Sequence, residues 1–326
     1  MLRFFTNHTC PIGVDMGDDA LTLVQMEKDT NGVGLFAADR IEYPADMRPG
    51  SVAWAQWAVE AIARSVAHGR FQGKKVIAAQ PARDVFVDTI KMPELAEGEL
   101  EDAIINRLML EFKIDPEKAL IRHVRNDGEN VFVMASDRTK LCQHLAVYEK
   151  AQLKVKAMSV WPMAALGAYT NLWANHVGQG NPVMLLDIGR RSTRIVICDG
   201  ANLYIAHASS VGVKDLRSDG MVDLLGSEMD MCRAKFQTTY KRPDVNRIIF
   251  VSGHSVDKKI YTAIAKQAQM PSQIGDCLDA VRTRRSGSVD PMKHAPHANW
   301  ITAVGLSLSE IQSARTHRHS EQRQAS

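Results

Sequence analysis

Ile12 to Val24 reads IGVDMGDDALTLV: an apolar strand runs through Asp15-x-Gly17 into a second apolar strand, with Asp18 and Asp19 at the turn. Leu185 to Ile197 reads LLDIGRRSTRIVI, the same strand, D-x-G, turn and strand. Asp187 matches Asp15 and Gly189 matches Gly17, while Arg190 and Arg191 stand where the first copy has its two acids. A repeat so far apart in the chain predicts two similar lobes, with turns of opposite charge.

At 326 residues the chain exceeds what one hydrophobic core comfortably serves, which agrees with two compact units. Forty Lys and Arg against 37 Asp and Glu leave a formal charge of +3. That balance is too mild to call for a nucleic-acid partner. The five cysteines (Cys10, Cys142, Cys198, Cys232 and Cys277) contain no C-x-x-C pair, so they read as reduced thiols. MLRFFTNHTC lacks the apolar run of a secretory signal, and no window approaches the ~18 apolar residues that a membrane span requires. A cytoplasmic protein is expected.

Outward from the first hairpin, Ser51 is a candidate cap for a helix that ends at Gly69, with Ala55, Val59, Ile62, Ala63 and Val66 at helical spacing. KKVIAAQ reads as a buried strand. RDVFVDTIKMP alternates Val85, Val87 and Thr89 against Phe86, Asp88 and Ile90 until Pro93 closes it. Leu100, Ile104, Leu108 and Phe112 mark an amphipathic helix. ALIRHVRN and NVFVMAS flank Asp127-Gly128, a hairpin signal, and a helix from Asp137 to Ala151 leads to the strand KVKAMSVW.

After the second hairpin come a helix near Met221 to Thr239, the strand RIIFVSG, another helix and the apolar helix WITAVGLSLSEI. The pattern predicts an α/β fold with a first lobe over 10–82 completed by 160–178, an inserted α+β subdomain over 83–159, a second lobe over 183–308 and a disordered polar tail over 309–326. His294, His297, His317 and His319 lack a carboxylate or cysteine at ligand spacing, so they read as solvated residues rather than a metal site. Arg282, Arg284 and Arg285 read as a solvated loop.

Two D-x-G hairpins, one opening each lobe, are the phosphate clamp of the actin and sugar-kinase superfamily. The succession GVDMGDDALTLVQM, AAQPARDVFVDTIKMPELAEGELEDAI, FKIDPEKALIRH, NVFVMAS, VMLLDIGRRSTRIVICDG, RIIFVSG and AVGLSLS resembles the PilM-type proteins, the FtsA-like component of type IV pilus assembly. The resemblance spans roughly Ile12 to Leu308. It implies an actin-like (ribonuclease H-like) two-lobed fold with an FtsA-style inserted subdomain. It also implies a PilN-like inner-membrane partner bound through its cytoplasmic N-terminal peptide, which would hold the protein peripherally on the inner membrane.

The resemblance implies a nucleotide site at Asp15, Gly17, Asp18, Asp187, Gly189, Arg190, Ser192, Thr193 and Gly253. If ATP binds, Asp15 and Asp187 would hold magnesium. The sequence departs from that pattern in four places. Asp18 and Asp19 replace the usual small hydroxyl residues, and Thr22 stands at the usual lysine position. Only Gly253 remains, before His254, of a run of glycines lying against the adenosine. About nine residues, Val213 to Met221, leave no room for the A-E-x-x-K helix of the adenosine pocket. A unit charge pair at ~4 Å is worth ~4 kcal/mol at an effective dielectric near 20, so two carboxylates beside a triphosphate oppose its binding.

The reading favours an adaptor of a pilus or related secretion platform without ATP hydrolysis, a pseudo-ATPase. The alternatives are an active ATP-binding member, a sugar kinase, which would need a catalytic base the sequence does not mark, and a filament or tether with an anchoring helix. SARTHRHSEQRQAS lacks the apolar face of such an anchor. For the charged turns two readings stand: cross-lobe ion pairs of Asp18 and Asp19 with Arg190 and Arg191, or four solvated side chains.

Overall fold

The computed structural model describes residues 8–29, 32–44, 47–125, 129–178, 180–277, 279–283 and 299–309. The first lobe opens with β1 (His8–Met16), β2 (Ala20–Asp29), β3 (Gly32–Glu42), α1 (Val52–His68) and β4 (Lys75–Ala79). Next come β5 (Val85–Lys91), α2 (Glu97–Phe112), β6 (Ala119–Arg125) and β7 (Asn130–Asp137). They lead into α3 (Arg138–Lys150), β8 (Lys154–Ser159), α4 (Trp161–Leu172) and the short α5 (Ala174–Val177). The second lobe holds β9 (Val183–Ile188), β10 (Thr193–Asp199), β11 (Asn202–Ser209), α6 (Met221–Tyr240), β12 (Arg247–Phe250), α7 (Lys258–Ala268) and β13 (Ser272–Ile274). A two-residue strand, β14 (Arg282–Thr283), and a last helix, α8 (301–309), end the described chain.

The repeat seen at the hairpins extends through both sheets. The first runs β14-β3-β2-β1-β4-β8 and the second β11-β10-β9-β12-β13. In each, three antiparallel strands form a meander and two further strands add in parallel beside the first. In this alignment α3 and β8 of the first lobe answer to α7 and β13 of the second. The third sheet, β5-β7-β6, has no counterpart.

The insertion is therefore about 85–137, shorter than the 83–159 expected. KVKAMSVW follows the inserted hairpin in sequence, yet β8 pairs with β4 of the first lobe, Lys75 to Lys154 through Ala79 to Ser159. The residues of the Asp127-Gly128 turn, of the histidine positions 294, 297, 317 and 319, of Arg284 and Arg285, and of the tail from 310 lie outside the described residues.

Local chemistry accounts for the elements. Ser51 caps α1, its Oγ accepting from the Trp54 N–H at 3.1 Å, and the Gly69 N–H closes the other end on the Ser65 carbonyl. The buried face of α1 is Trp54, Ala58, Ala61, Ile62 and Ser65. Ala63, expected inside, is exposed, and Ala55 and Val59 are half-buried on the flank. Leu100, Ile104 and Leu108 of α2 are fully buried against Ile90, Val131 and Val133.

The alternation in β5 reflects two covered faces. Phe86 and Ile90 meet α2, while Val85 and Val87 join the core between the lobes. Thr89 Oγ1 donates to the Tyr204 carbonyl of β11 at 2.9 Å, and Lys235 of α6 meets Asp88 at 2.5 Å, so the insertion braces the second lobe.

Between the two sheets lie α4 and α8, with Trp161, Tyr169, Trp300, Ile301 and Val304 in one buried cluster. The approach is close enough to demand glycine. A Cβ on Gly13 of β1 would strike the Ala303 carbonyl, and one on Gly305 the Ala164 carbonyl. Ser307 Oγ ties α8 to the first sheet, donating to the Pro11 carbonyl at 2.7 Å and accepting from the Met26 N–H at 2.9 Å.

Candidate functional site

Each D-x-G turn closes with the same bond. The Gly17 N–H donates to the Ala20 carbonyl at 3.0 Å, and the Gly189 N–H to the Ser192 carbonyl at 2.8 Å. Both turns face a cleft of about 550 Å³ between the lobes. Asp15, Gly17, Asp18, Asp187, Gly189, Arg190 and Ser192 all line it, so the structure brings together most of the residues expected from the sequence.

Two expected residues do other work. Thr193 is fully buried and its hydroxyl donates to the Val211 carbonyl at 2.7 Å. Gly253, at φ +60°, sits against Asp276, and Ser255 rather than Gly253 lines the cleft. The side chain of His254 lies outside the described residues. Residues 210–220 form turns rather than a helix and pack onto the second hairpin. The Val213 N–H donates to the Gly189 carbonyl at 3.0 Å, and Gly212 lies so close to Arg190 and Arg191 that a Cβ would meet their backbone at about 2.5 to 2.6 Å.

The cleft's charges are largely matched from within. Asp187 is buried and accepts from Asn299 Nδ2, and its other oxygen lies 3.5 Å from Arg194 Nη1. Arg194 also reaches Thr302 Oγ1 at 3.3 Å and lies over the Trp161 ring, 5.9 Å from its centroid. Burial pushes the Asp187 carboxyl above the usual carboxylate range, opposed by Arg194 and by the Asn299 hydrogen bond. Asp15 keeps some contact with cleft solvent, yet desolvation dominates. Its carboxyl is pushed up to about 6, with Arg194 working against burial and Asp187, Asp18 and Asp19 adding to it.

The acids of the first turn do not pair with the arginines of the second. Asp19 meets Arg40 of β3 at 3.4 Å, and Asp18 meets Arg83 at 3.5 Å, both within the first lobe. Arg40 stands opposite Thr22 in the β2-β3 ladder, which brings a cation to the wall where a lysine was expected. What crosses the cleft is a neutral donor: Ser192 Oγ donates to Asp18 Oδ2 at 3.0 Å. Arg190 and Arg191 are exposed, their backbone held by the 210–220 segment. The ion-pair clasp is thus replaced by one hydrogen bond, because cations nearer in the fold reach the acids first.

Sequence reading missed Arg40, Arg83, Arg194 and Asn299. Only Arg194 carried a signal, a lone arginine inside the otherwise apolar strand TRIVIC. The others become relevant through partners far away in the chain.

A second concavity, of about 910 Å³, lies on the first lobe between the N-terminal half of α1, α3 and the turn at Ala82–Asp84. Trp54, Ala55, Val59 and Val147 give it an apolar floor. Its rim carries Arg48, Arg83, Lys140 and Lys150 against Glu60 and Asp84. The hydrogen bond from His144 holds the Asp84 carboxyl down at about 2 against the cost of burial, helped by Lys140 at 2.9 Å and by Arg83.

No protein-family model and no curated protein matches this chain. Solved structures do. A "PilM-PilN type IV pilus biogenesis complex" aligns with a TM-score of 0.73 at 19% identity, covering 92% of this chain and 98% of that one. The ethanolamine utilization protein EutJ from Carboxydothermus hydrogenoformans aligns with a TM-score of 0.50 at 12% identity, covering 94% and 92%. The fold is thus the two-lobed actin-like fold expected from the paired hairpins, and the likeness to the PilM-PilN structure runs over nearly the whole chain.

Proposed function

We propose that this chain is a nucleotide-independent adaptor of a type IV pilus or related secretion platform, which binds the cytoplasmic N-terminal peptide of a PilN-like inner-membrane protein. The observation that carries the reading is the state of the cleft. Asp187 is engaged by Arg194 and Asn299, Asp18 by Ser192 and Arg83, and Asp19 by Arg40. Five acids, Asp15, Asp18, Asp19, Glu42 and Asp187, line the cleft against three arginines, Arg40, Arg190 and Arg194. A triphosphate entering there meets net repulsion and must break existing pairs. On this reading the pairs already made within the cleft, rather than MgATP, satisfy its charged side chains.

The peptide site is the groove beside α1 and α3, where the inserted subdomain joins the first lobe. Its apolar floor suits alternate side chains of an extended segment, and its rim supplies polar contacts. No helix among the described residues is long and apolar enough to cross a membrane.

Two measurements test the proposal. Titration calorimetry with MgATP should give no saturable heat, and a micromolar Kd would sink the nucleotide-independent reading. Recruitment to vesicles bearing a PilN-like protein should disappear when Val52 and Val59 of the groove are replaced by Asp, and unchanged recruitment would remove the groove from the account.

A further inference from the structure

Arg83 reaches from the groove to an acid of the cleft. It lines the groove, while its Nη1 lies 3.5 Å from Asp18 Oδ1 and its Nε 3.7 Å from Asp84 Oδ2. We propose that Arg83 makes the groove selective for a peptide carrying a carboxylate, and that this carboxylate draws Arg83 from Asp18 and frees the Asp18–Ser192 contact between the lobes. The proposal rests on the reading of the groove as a peptide site.

Three observations support it. Both ion-pair distances of Arg83 exceed the roughly 2.7–2.9 Å of a well-formed charged hydrogen bond, so a guest carboxylate able to take the guanidinium in two-pronged fashion competes well. The rim has four cations against two acids, and Asp84 is already engaged by Lys140 and His144, which leaves net positive charge for a guest. Asp18 stands close enough to Asp15 and Asp187 to raise both of their carboxyls. When Arg83 leaves, Asp18 faces those like charges without its counter-ion, and its turn is driven away from Ser192.

A second route joins the same two places. Trp54 of the groove floor meets the Tyr43 ring edge-on at 6.0 Å, and the Tyr43 hydroxyl donates to the Gly17 carbonyl at 3.0 Å. The groove wall and the first hairpin turn are thus in contact through Arg83 and through Tyr43.

The experiment uses the full chain with Val52→Cys at the groove edge, where Val52 is 77% exposed, in a Cys142→Ser background. A hexapeptide is disulfide-linked there, ending in Glu in one arm and in Gln in the other, long enough when extended to cross roughly 20 Å. Hydrogen exchange is followed by mass spectrometry. Both arms should protect α1 and α3, but only the Glu arm should speed exchange severalfold in residues 16–20 and 188–193.

In Arg83→Met the Glu arm should lose that effect, and Asp18→Asn should give the same loss should the first variant fold poorly. Equal exchange in the two arms, a Glu effect that survives both variants, or protection of α1 and α3 in neither arm would each overturn the proposal. Partner and membrane are absent from this measurement, so a failure of the adaptor reading shows up separately, in vesicle recruitment.

Discussion

The two D-x-G hairpins share a backbone and differ in almost everything facing them. Gly17 and Gly189 make the same turn bond, and the strands leaving them pair in the same order in their sheets. Asp187 has an arginine and an amide beside it, and its carboxyl is buried. Asp15 keeps cleft solvent and has repelling acids nearby. One position carries the difference further: two residues before the aspartate the first strand has Gly13, pressed against α8, and the second has Leu185 in the core between the lobes. A repeat conserves the frame, and what each copy can do depends on which neighbours the rest of the chain brings to it.

The most severe way to break this asymmetry is Arg194→Met. It leaves Asp187 buried without its cation, and the expected loss is about 3 to 5 kcal/mol in denaturant unfolding at neutral pH. Much of that loss should return as pH falls, because burial raises the Asp187 carboxyl and protonation removes its uncompensated charge. A loss below about 1 kcal/mol would mean that Asn299 alone suffices. Next is Gly13→Ala, which forces a methyl into the Ala303 carbonyl and should cost on the order of 2 to 3 kcal/mol, while Leu185→Ala should cost a comparable amount by leaving a void. A Gly13→Ala variant as stable as the parent would show that α8 does not press on the first strand.

The pH profile separates the two aspartates more gently. With its folded carboxyl at about 6 against an ordinary 3.8, Asp15 takes up a proton more readily when folded. It therefore adds stability at low pH that is lost as pH rises from about 4 to about 6, with no further change above. Discounted for the solvent that reaches it, the effect is on the order of 1 to 2 kcal/mol. Asp15→Asn should flatten that slope. Asp84, held at about 2, has the opposite sign: its contribution is full above about pH 4 and disappears as pH falls toward 2.

The smallest effects concern the turns themselves. A double-mutant cycle of Asp18→Asn with Ser192→Ala should give a coupling of about 1 kcal/mol. Exchanging the charges of Asp18 and Asp19 with those of Arg190 and Arg191 should give a coupling near zero. A coupling above about 2 kcal/mol in the second cycle would restore the ion-pair clasp.

Much of the frame was legible because its signals are periodic and local. Asp15-x-Gly17 and Asp187-x-Gly189 announced the lobes, and Leu100, Ile104 and Leu108 announced α2. The place of β8 was not legible, since KVKAMSVW states that a strand exists and leaves its neighbour unnamed. The packed face of α1 was also misplaced, because Trp54 sets it and Ala63 does not. Within the cleft the carboxylates could be found by motif. Apart from Arg194, their partners could not: Arg83 meets Asp18 across 65 positions and Asn299 donates to Asp187 across 112, contacts made by tertiary structure alone.

The late return of the chain to its first sheet also sets an order of events during synthesis. Strand β1 is made long before α8, yet the face around Gly13 is closed only by α8, and the outer edge of β3 gains its neighbour only at Arg282 and Thr283. The inserted sheet and α2 complete their own core by residue 137 and are free to form while the ribosome is still at work. The first lobe, begun first, is finished last, so a truncation within α8 should harm the beginning of the protein more than its middle.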